Sequence, residues 1–222
     1  MIINLNKPIG WTSFDVCKKI KSITKEKKVG HGGTLDPFAS GVLILGTGKD
    51  TKKLKHVSDE KKSYDATLSL GETTDTLDLE GKILQKTEVP ILSKKKITNT
   101  LESFIGNYNQ IPPMFSAKKV AGKRLYDYAR KNIYIERDPV MLNIFSISLN
   151  HFDEKSISFS VECSKGTYIR VLGKDISEKL GTLGHLISLT RTKVGKHTIK
   201  QSQTIENFEN LWKSSIQKKN EF

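Results

Sequence analysis

Apolar and polar residues alternate along several short stretches of the chain, which is the pattern of a strand with one buried face. The stretches 64–70 and 157–163 show this alternation, and in 145–149 it places Phe145, Ile147 and Leu149 on the inner face. A continuous apolar run at 42–45 is short enough for a buried strand, and 2–5 is a shorter candidate. Alternating strands separated by turns favour an antiparallel or mixed sheet.

Apolar residues spaced three or four apart predict helices between these strands. The first begins at Thr12 or Ser13, either of which can cap it, with Asp15 in its first turn. Three more helices are predicted at 97–105, 169–180 and 205–212. Because helices and strands do not alternate strictly, the fold class is α+β, with a mixed, largely antiparallel β-sheet flanked by helices.

Two segments depart from these patterns. Residues 110–138 contain Pro112-Pro113 and several pairs of basic residues, so we expect an exposed basic insertion that leaves the sheet. Residues 213–222 are mostly polar and are predicted to form a frayed tail.

The charge of the chain points to a polyanionic partner. Its 222 residues include 37 Lys and Arg against 24 Asp and Glu, which gives a formal net charge of +13. A balance this basic favours nucleic acid binding. The alternative is a Lys-rich composition that only keeps the protein in solution, so charge supports a nucleic acid partner without proving it.

The cysteines and the N-terminus indicate the compartment. Cys17 and Cys163 are too few for a disulfide framework or a zinc site, and they are expected to be buried thiols in a reducing environment. The N-terminus lacks the apolar segment of a signal peptide, and no run approaches the roughly 20 apolar residues of a membrane helix. The sequence therefore predicts a cytoplasmic protein without a membrane partner.

The glycine-rich stretch 30–37 carries the densest chemical signal. Its three glycines allow close backbone approach to a ligand, while His31 and Asp36 supply a base and a carboxylate. A structural turn capped by Asp36 explains the same residues equally well. The phosphate-loop pattern fails around Gly48, and the five histidines show no metal-ligand spacing, so neither a nucleotide nor a metal is predicted.

Two other candidates are weaker when taken alone. Residues 165–170 follow a strand and open a helix, so Arg170 and the backbone N–H groups there could meet an anion. A plain strand-to-helix turn with a surface arginine is the more common arrangement. Tyr64 opens an alternating strand, and core packing is its default role.

Five blocks of residues follow one another along the chain: Lys7-Pro8-x-Gly10-x-Thr12-Ser13; the loop 30–41; Tyr64 with Gly71-x-x-Thr74-Asp75-Thr76-x-Asp78; Ile111-Pro112-Pro113-x-Phe115-Ser116-Ala117-x-Lys119 with Gly122-x-x-Leu125-Tyr126-x-x-Ala129-Arg130; and 163–170. Taken in this order, the blocks resemble the bacterial tRNA pseudouridine synthase B (TruB) family across residues 2–212.

The resemblance implies an isomerase that converts uridine 55 in the T arm of tRNA to pseudouridine. It implies that Asp36 is the catalytic aspartate and that Arg170 pairs with it. It also implies that Tyr64 stacks on the target base, against the default of core packing, while Tyr168 and Leu189 line the pocket and His31 lies near the extruded base. Extruding a base costs a few kcal/mol.

The remaining basic residues of these motifs are expected to be structural or to contact RNA phosphates. They are Lys7, Lys118, Lys119, Lys123 and Arg124. An isomerisation needs neither a redox cofactor nor ATP, so no cofactor and no metal are predicted.

The resemblance also suggests how the chain is organised. Residues 1–212 would form the catalytic domain, with the insertion at about 110–138. The C-terminal RNA-binding (PUA-like) domain common in the family is expected to be absent. The partner is tRNA through its T stem-loop, no obligate protein partner is expected, and a monomer is the default.

Two alternatives remain open. A non-catalytic RNA-binding or RNA-folding protein could open and rewind the T arm with the same pocket, and such tRNA chaperone activity could coexist with catalysis. A guide-dependent relative that works inside a ribonucleoprotein is less favoured, because the insertion resembles that of stand-alone bacterial enzymes.

Overall fold

The structure, a computed structural model, describes residues 1–220 and the side chains of residues 1–217. The strands are β1 Ile2–Lys7, β2 Val29–His31, β3 Ser40–Thr47, β4 Lys62–Leu70, β5 Glu72–Thr74, β6 Ile83–Lys86, β7 Gly106–Gln110, β8 Lys119–Val120, β9 Lys123–Arg124, β10 Val140–Phe152, β11 Ser156–Cys163, β12 Gly184–Val194 and β13 His197–Thr198. The α-helices are α1 Ser13–Thr24, α2 Leu54–Asp59, α3 Lys94–Glu102, α4 Leu125–Ala129, α5 Ile169–Leu180 and α6 Ile205–Asn220. This mixture confirms the α+β prediction.

The chain divides into two compact units. The first contains residues 1–62 and the residues from 190 onward, and the second contains residues 63–189. Strand β12 begins in the second unit and ends in the first. No helix within the described residues is long and apolar enough to cross a membrane.

The first unit is built around β3. Strands β1 and β2 both pair antiparallel to β3, and the end of β12 runs parallel to it, with Thr190 opposite Ser40. Strand β13 then pairs antiparallel to β12.

Strand β3 is buried on both faces, which explains its unbroken apolar run. Leu43 and Leu45 belong to a core cluster with residues of α1 and with Phe208 of α6. Val42 and Ile44, which point to the opposite face, pack with Leu54 of α2 and other residues. Successive side chains of a strand point to opposite sides, so an apolar residue is needed at every position here.

Helix α1 begins where the sequence predicted. Thr12 is the N-cap: its hydroxyl accepts the Asp15 N–H at 3.0 Å, while the Asp15 carboxylate accepts the Thr12 N–H at 3.1 Å. This reciprocal capping box satisfies two backbone donors that the first turn leaves without a partner.

The second unit holds the long antiparallel ladder of the fold. Strand β10 pairs with β7 on one side and with β11 on the other, and β4 follows β11 in the strand order. Helices α3 and α5 pack together, and α3 also packs on β10. Two short hairpins, β5–β6 and β8–β9, lie outside this ladder.

The inward position predicted for Phe145 is wrong. The register of β10 against β11 shifts between Ile144 and Ser146, and Phe145 is 37% exposed. Ile144 and Ile147 are buried instead. An irregularity of this kind interrupts the period-two alternation and turns the extra residue away from the face it would otherwise occupy.

Two helix ends also differ from prediction. Helix α3 stops at Glu102, so Phe104 and Ile105 follow it rather than extend it. Helix α6 continues to Asn220, so the frayed tail predicted for 213–222 is wrong for residues 213–220. The last two residues of that predicted tail lie outside the described residues.

Candidate active site

Asp36 lies in the loop that joins β2 to β3. Its side chain is half-buried, whereas the neighbouring Leu35 and Phe38 are almost completely buried. The apolar neighbours fix the backbone in the core, and the carboxylate between them keeps access to the surface.

The N-terminal motif holds the residues on both sides of Asp36. The Ser13 hydroxyl donates to the Leu35 carbonyl at 3.1 Å and accepts the Leu35 N–H at 2.9 Å. The Gly10 N–H donates to the Pro37 carbonyl at 2.8 Å. The motif therefore positions the backbone immediately before and immediately after the carboxylate.

Lys7 belongs to the same anchor and is not placed to meet a phosphate. Its side chain is fully buried, and its ammonium donates to the carbonyls of Pro8 at 2.8 Å, Trp11 at 2.6 Å and Pro37 at 3.3 Å. A buried ammonium surrounded by acceptors is a structural element. The structure corrects the predicted phosphate contact and supports the structural alternative for Lys7.

Arg191 anchors the other side of the loop, and the sequence did not reveal it. It is 2% exposed, and its guanidinium donates to the carbonyls of Val42 at 2.7 Å, Thr34 at 3.1 Å and Gly33 at 3.2 Å. The Arg191 backbone lies so close to Gly41 that no β-carbon would fit there, and Gly41 also has a φ of 109°.

His31 is half-buried at the end of β2. Its Nδ1 accepts the Gly33 N–H at 3.4 Å, which leaves the proton of the neutral ring on Nε2. Burial is the main cause that lowers the pKa of His31, and the nearby charge of Arg191 lowers it further. His31 is thus a neutral hydrogen-bonding group rather than a cation at neutral pH.

Arg170 is in the first turn of α5 and is 4% exposed. It donates from Nη1 to the Thr76 carbonyl at 2.5 Å and from Nη2 to the Phe115 carbonyl at 2.9 Å. Its Nε lies 3.5 Å from Oδ2 of Asp78. Two separate loops thus fix the plane of the guanidinium. This excludes the alternative in which Arg170 is a surface arginine of a plain strand-to-helix turn.

Asp78 is itself oriented by its own loop. Its Oδ1 accepts the Thr76 hydroxyl at 2.6 Å and the Glu80 N–H at 3.1 Å, which leaves Oδ2 for the Arg170 side. Leu77, which lies between Thr76 and Asp78, has a positive φ of 62°. The sequence motif contained Asp78, but its role depends on a contact across 92 residues that no local pattern shows.

The structure separates the predicted pocket residues into two sets. His31 and Asp36 belong to the first unit, whereas Tyr64, Tyr168 and Leu189 belong to the second unit with Arg170. Tyr64 on β4 is 8% exposed and Leu189 on β12 is 5% exposed. Tyr168 is half-buried as the N-cap residue of α5.

The basic insertion forms a small hairpin followed by a helix. Lys119 of β8 pairs with Arg124 of β9, and the two-residue turn between the strands has positive φ at both positions. Lys119, Lys123 and Arg124 are exposed and Lys118 is half-buried. The Arg124 guanidinium stacks over the Tyr126 ring at 5.6 Å and also donates to its hydroxyl at 2.7 Å. The hairpin thus presents the charged side chains of Lys119, Lys123 and Arg124 to solvent.

Metal ligands are not grouped anywhere in the described part of the chain, where no three His, Cys, Asp or Glu residues could hold one ion. Both cysteines, Cys17 and Cys163, are buried free thiols.

Comparison with known proteins gives a consistent result. The TruB family pseudouridylate synthase (N terminal domain) profile matches residues 21–169. The chain is 51% identical over 194 residues to a tRNA pseudouridine synthase B of Clostridium acetobutylicum, covering 87% of this chain and 67% of the relative. It is 45% identical over 212 residues to a tRNA pseudouridine synthase B of Clostridium tetani, covering 95% of this chain and 73% of the relative.

Solved structures show a similar fold. A chain in a Cbf5-Nop10-Gar1 complex matches with a TM-score of 0.76 and 28% identity, covering 96% of this chain and 56% of that chain. A chain in an H/ACA RNP bound to a substrate RNA containing 2'-deoxyuridine matches with a TM-score of 0.71 and 25% identity, covering 96% and 55%. The present chain thus spans little more than half of these solved chains.

Proposed function

The chain belongs to the TruB family of pseudouridylate synthases, and we propose that it isomerises uridine 55 in the T arm of tRNA with Asp36 as the essential carboxylate. The observation that carries this proposal is the anchoring of Asp36: Leu35 before it and Pro37 after it are both hydrogen-bonded to the N-terminal motif, while its own side chain stays half-exposed.

Asp36 would act in its ionised form. Cleavage of the glycosidic bond and reattachment of uracil through carbon 5 could proceed by attack on the ribose, attack on the base or removal of a ribose proton, and each route needs a carboxylate. Arg170 matches the family arginine that pairs with this aspartate. The Thr76 and Phe115 carbonyls hold the guanidinium of Arg170 in one orientation, which fixes the position of its positive charge.

The target uridine must leave the folded T arm before it can react. Unstacking costs a few kcal/mol, which contacts in the pocket have to offset. Tyr64 would stack on the uracil, Tyr168 and Leu189 would line the pocket, and the neutral ring of His31 would hydrogen-bond near the extruded base. These roles follow from the match of each residue to a residue of the family.

The rest of the tRNA would be held mainly through its backbone. Lys119, Lys123 and Arg124 are exposed on the insertion, and Lys118 lies just before them, so they can reach phosphates without contributing to sequence recognition. The catalytic domain would comprise residues 1–212 and act on tRNA as a monomer in the cytoplasm, without cofactor, metal or obligate protein partner.

A tRNA-folding activity is the second candidate, and it is compatible with the first. Extruding and releasing a T-arm base uses the same pocket and the same basic insertion whether or not the base is isomerised. The alternative that works inside a ribonucleoprotein is weaker, because identity is 51% to the Clostridium acetobutylicum relative and 25% to the chain of the H/ACA RNP.

The test is to incubate the purified protein with an unmodified tRNA transcript, without metal or nucleotide, and to map pseudouridine by a carbodiimide-dependent primer-extension stop. A control transcript carries cytidine in place of the T-arm uridine. We expect one stop, at that uridine, and none in the control. Binding of tRNA without any stop would refute the synthase and favour the folding factor.

A further inference from the structure

We propose that Gln110 is a positioning residue that fixes the start of α5, and through it Tyr168 and Arg170, for the isomerisation. This inference rests on the function proposed above. Gln110 is the last residue of β7, where the basic insertion begins, and it is 1% exposed. None of the sequence motifs gave it a role.

The side chain of Gln110 makes two hydrogen bonds to the backbone of a single residue, Tyr168. Its Oε1 accepts the Tyr168 N–H at 2.8 Å, and its Nε2 donates to the Tyr168 carbonyl at 3.0 Å. This bidentate contact imitates the pairing of a neighbouring strand and fixes the orientation of the residue it holds. Tyr168 is the N-cap of α5, and its own side chain makes no capping hydrogen bond to that end of the helix.

The held residue lies two positions before Arg170. The same Tyr168 carbonyl that Gln110 binds also accepts the Leu172 N–H at 3.1 Å, so the first turn of α5 starts from a fixed point. The guanidinium of Arg170 must reach the Thr76 and Phe115 carbonyls together. A small rotation of this turn would misalign one of the two bonds.

A second contact fixes α5 further along. The Gln110 Nε2 also lies 3.2 Å from the hydroxyl oxygen of Tyr108, and that hydroxyl donates to the carboxylate of Asp175 in α5. Burial raises the pKa of both Tyr108 and Asp175. Strand β7 therefore holds the helix at Tyr168 and at Asp175, which fixes both its axial position and its rotation.

Gln110→Glu tests the role of the amide. The variant keeps the shape and an acceptor for the Tyr168 N–H, but at neutral pH it replaces the donor to the Tyr168 carbonyl with an acceptor. We expect the single-turnover rate of pseudouridine formation to fall on the order of 10- to 100-fold, because a misplacement of reacting groups by about 1 Å can cost about 100-fold. The dissociation constant for tRNA should change by less than about twofold, because the phosphate contacts are elsewhere.

Tyr108→Phe keeps the ring, including its edge contact with Phe104, and removes only the hydroxyl that links Gln110 to Asp175. We expect a smaller loss of rate and again unchanged tRNA binding. Asn109→Ala, at the exposed position between them on the same strand, is the matched control and should keep the wild-type rate.

The outcomes separate the two proposals. Full rates in both Gln110→Glu and Tyr108→Phe, beside an active wild type, would overturn the positioning role alone. The positioning role would also be overturned if the loss of rate were accompanied by weaker tRNA binding and a lower melting temperature, because a purely structural residue affects all three. A wild-type protein that forms no pseudouridine would overturn the proposed function and this inference with it.

Discussion

At the residue scale, Arg170 is held by geometry that only an arginine can satisfy. It bonds two carbonyls from different loops while Nε faces Asp78. Arg170→Lys keeps the charge but cannot reproduce the fork. We predict a fall in single-turnover rate on the order of 100-fold, the size seen when an oriented donor is lost from an active site.

The same Arg170→Lys variant should bind tRNA as the wild type does, which a filter-binding titration can check. Arg130→Lys, an exposed arginine of the insertion, is a suitable comparison. An unchanged rate in Arg170→Lys would remove the argument for a fixed guanidinium.

Arg191 supports the loop that carries Asp36 in a similar way. A lysine at this position can reach fewer of the carbonyls of Gly33, Thr34 and Val42 than the three that the guanidinium now binds. Each hydrogen bond to a charged group contributes about 1.5–3 kcal/mol. We predict that Arg191→Lys lowers the free energy of unfolding by about 2–4 kcal/mol, measured by denaturant titration. The control is Lys193→Arg, at an exposed position on the same strand, which should change the free energy of unfolding little. Equal stabilities of the two variants would contradict the anchoring role of Arg191.

The sequence could name candidates that lie in family motifs and missed residues that are defined by distant contacts. Asp36 and Arg170 were proposed because family motifs surround them, since local chemistry alone left other interpretations open for both. Arg191 and Gln110 were missed because their partners lie up to 158 residues away and are backbone atoms, which leave no pattern of residue types. Lys7 was found, but its burial could not be read from a short polar motif.

At the element scale, an ion pair as well as apolar packing holds α6 against α1. The Glu209 carboxylate lies 2.8 Å from the ammonium of Lys19 in α1 and 2.8 Å from that of Lys213 in α6. Hydrogen bonds from Lys19 and then Lys213 lower the pKa of Glu209 to about 2.

This shift gives Glu209 a defined effect on stability. Because its folded-state pKa is lower than the ordinary value near 4.3, its contribution is complete above that value and is lost as the pH falls toward 2. We predict that Glu209→Gln lowers the denaturation midpoint at pH 7 and that the difference from wild type shrinks between pH 5 and 3. Glu206→Gln, in the first turn of the same helix, is the control. A difference independent of pH would show that the ion pairs are not responsible.

Strands and helices with clear periodicity were predictable, and irregular ones were not. The alternation of β4 and β11 and the apolar run of β3 corresponded to the observed elements because burial decides those side chains. Strand β12 was missed because its burial pattern is irregular: two adjacent residues, Ile187 and Ser188, are both exposed within it. Phe145 was misplaced because an irregularity in β10 has no signature in residue type.

At the scale of the whole molecule, the net charge of +13 should make the affinity for tRNA fall as the salt concentration rises. Each phosphate neutralised contributes a slope of about −0.9 to log K against log salt on a duplex. We predict that replacing Lys119, Lys123 and Arg124 with Gln makes that slope shallower by about 2–3. The matched control replaces three other exposed lysines, Lys94, Lys95 and Lys155, and removes the same charge. Equal slopes in the two triple variants would show that net charge acts without a specific role of the insertion.

The central claim is that this member of the pseudouridylate synthase family uses Asp36 to isomerise a T-arm uridine. The most direct measurement compares wild type and Asp36→Asn in a single-turnover assay on unmodified tRNA, with tRNA binding and thermal melting measured on the same preparations. Asparagine keeps the size of the side chain and removes its charge. We predict that Asp36→Asn folds and binds tRNA like the wild type but forms no pseudouridine; turnover at the wild-type rate in a folded Asp36→Asn protein would contradict the account.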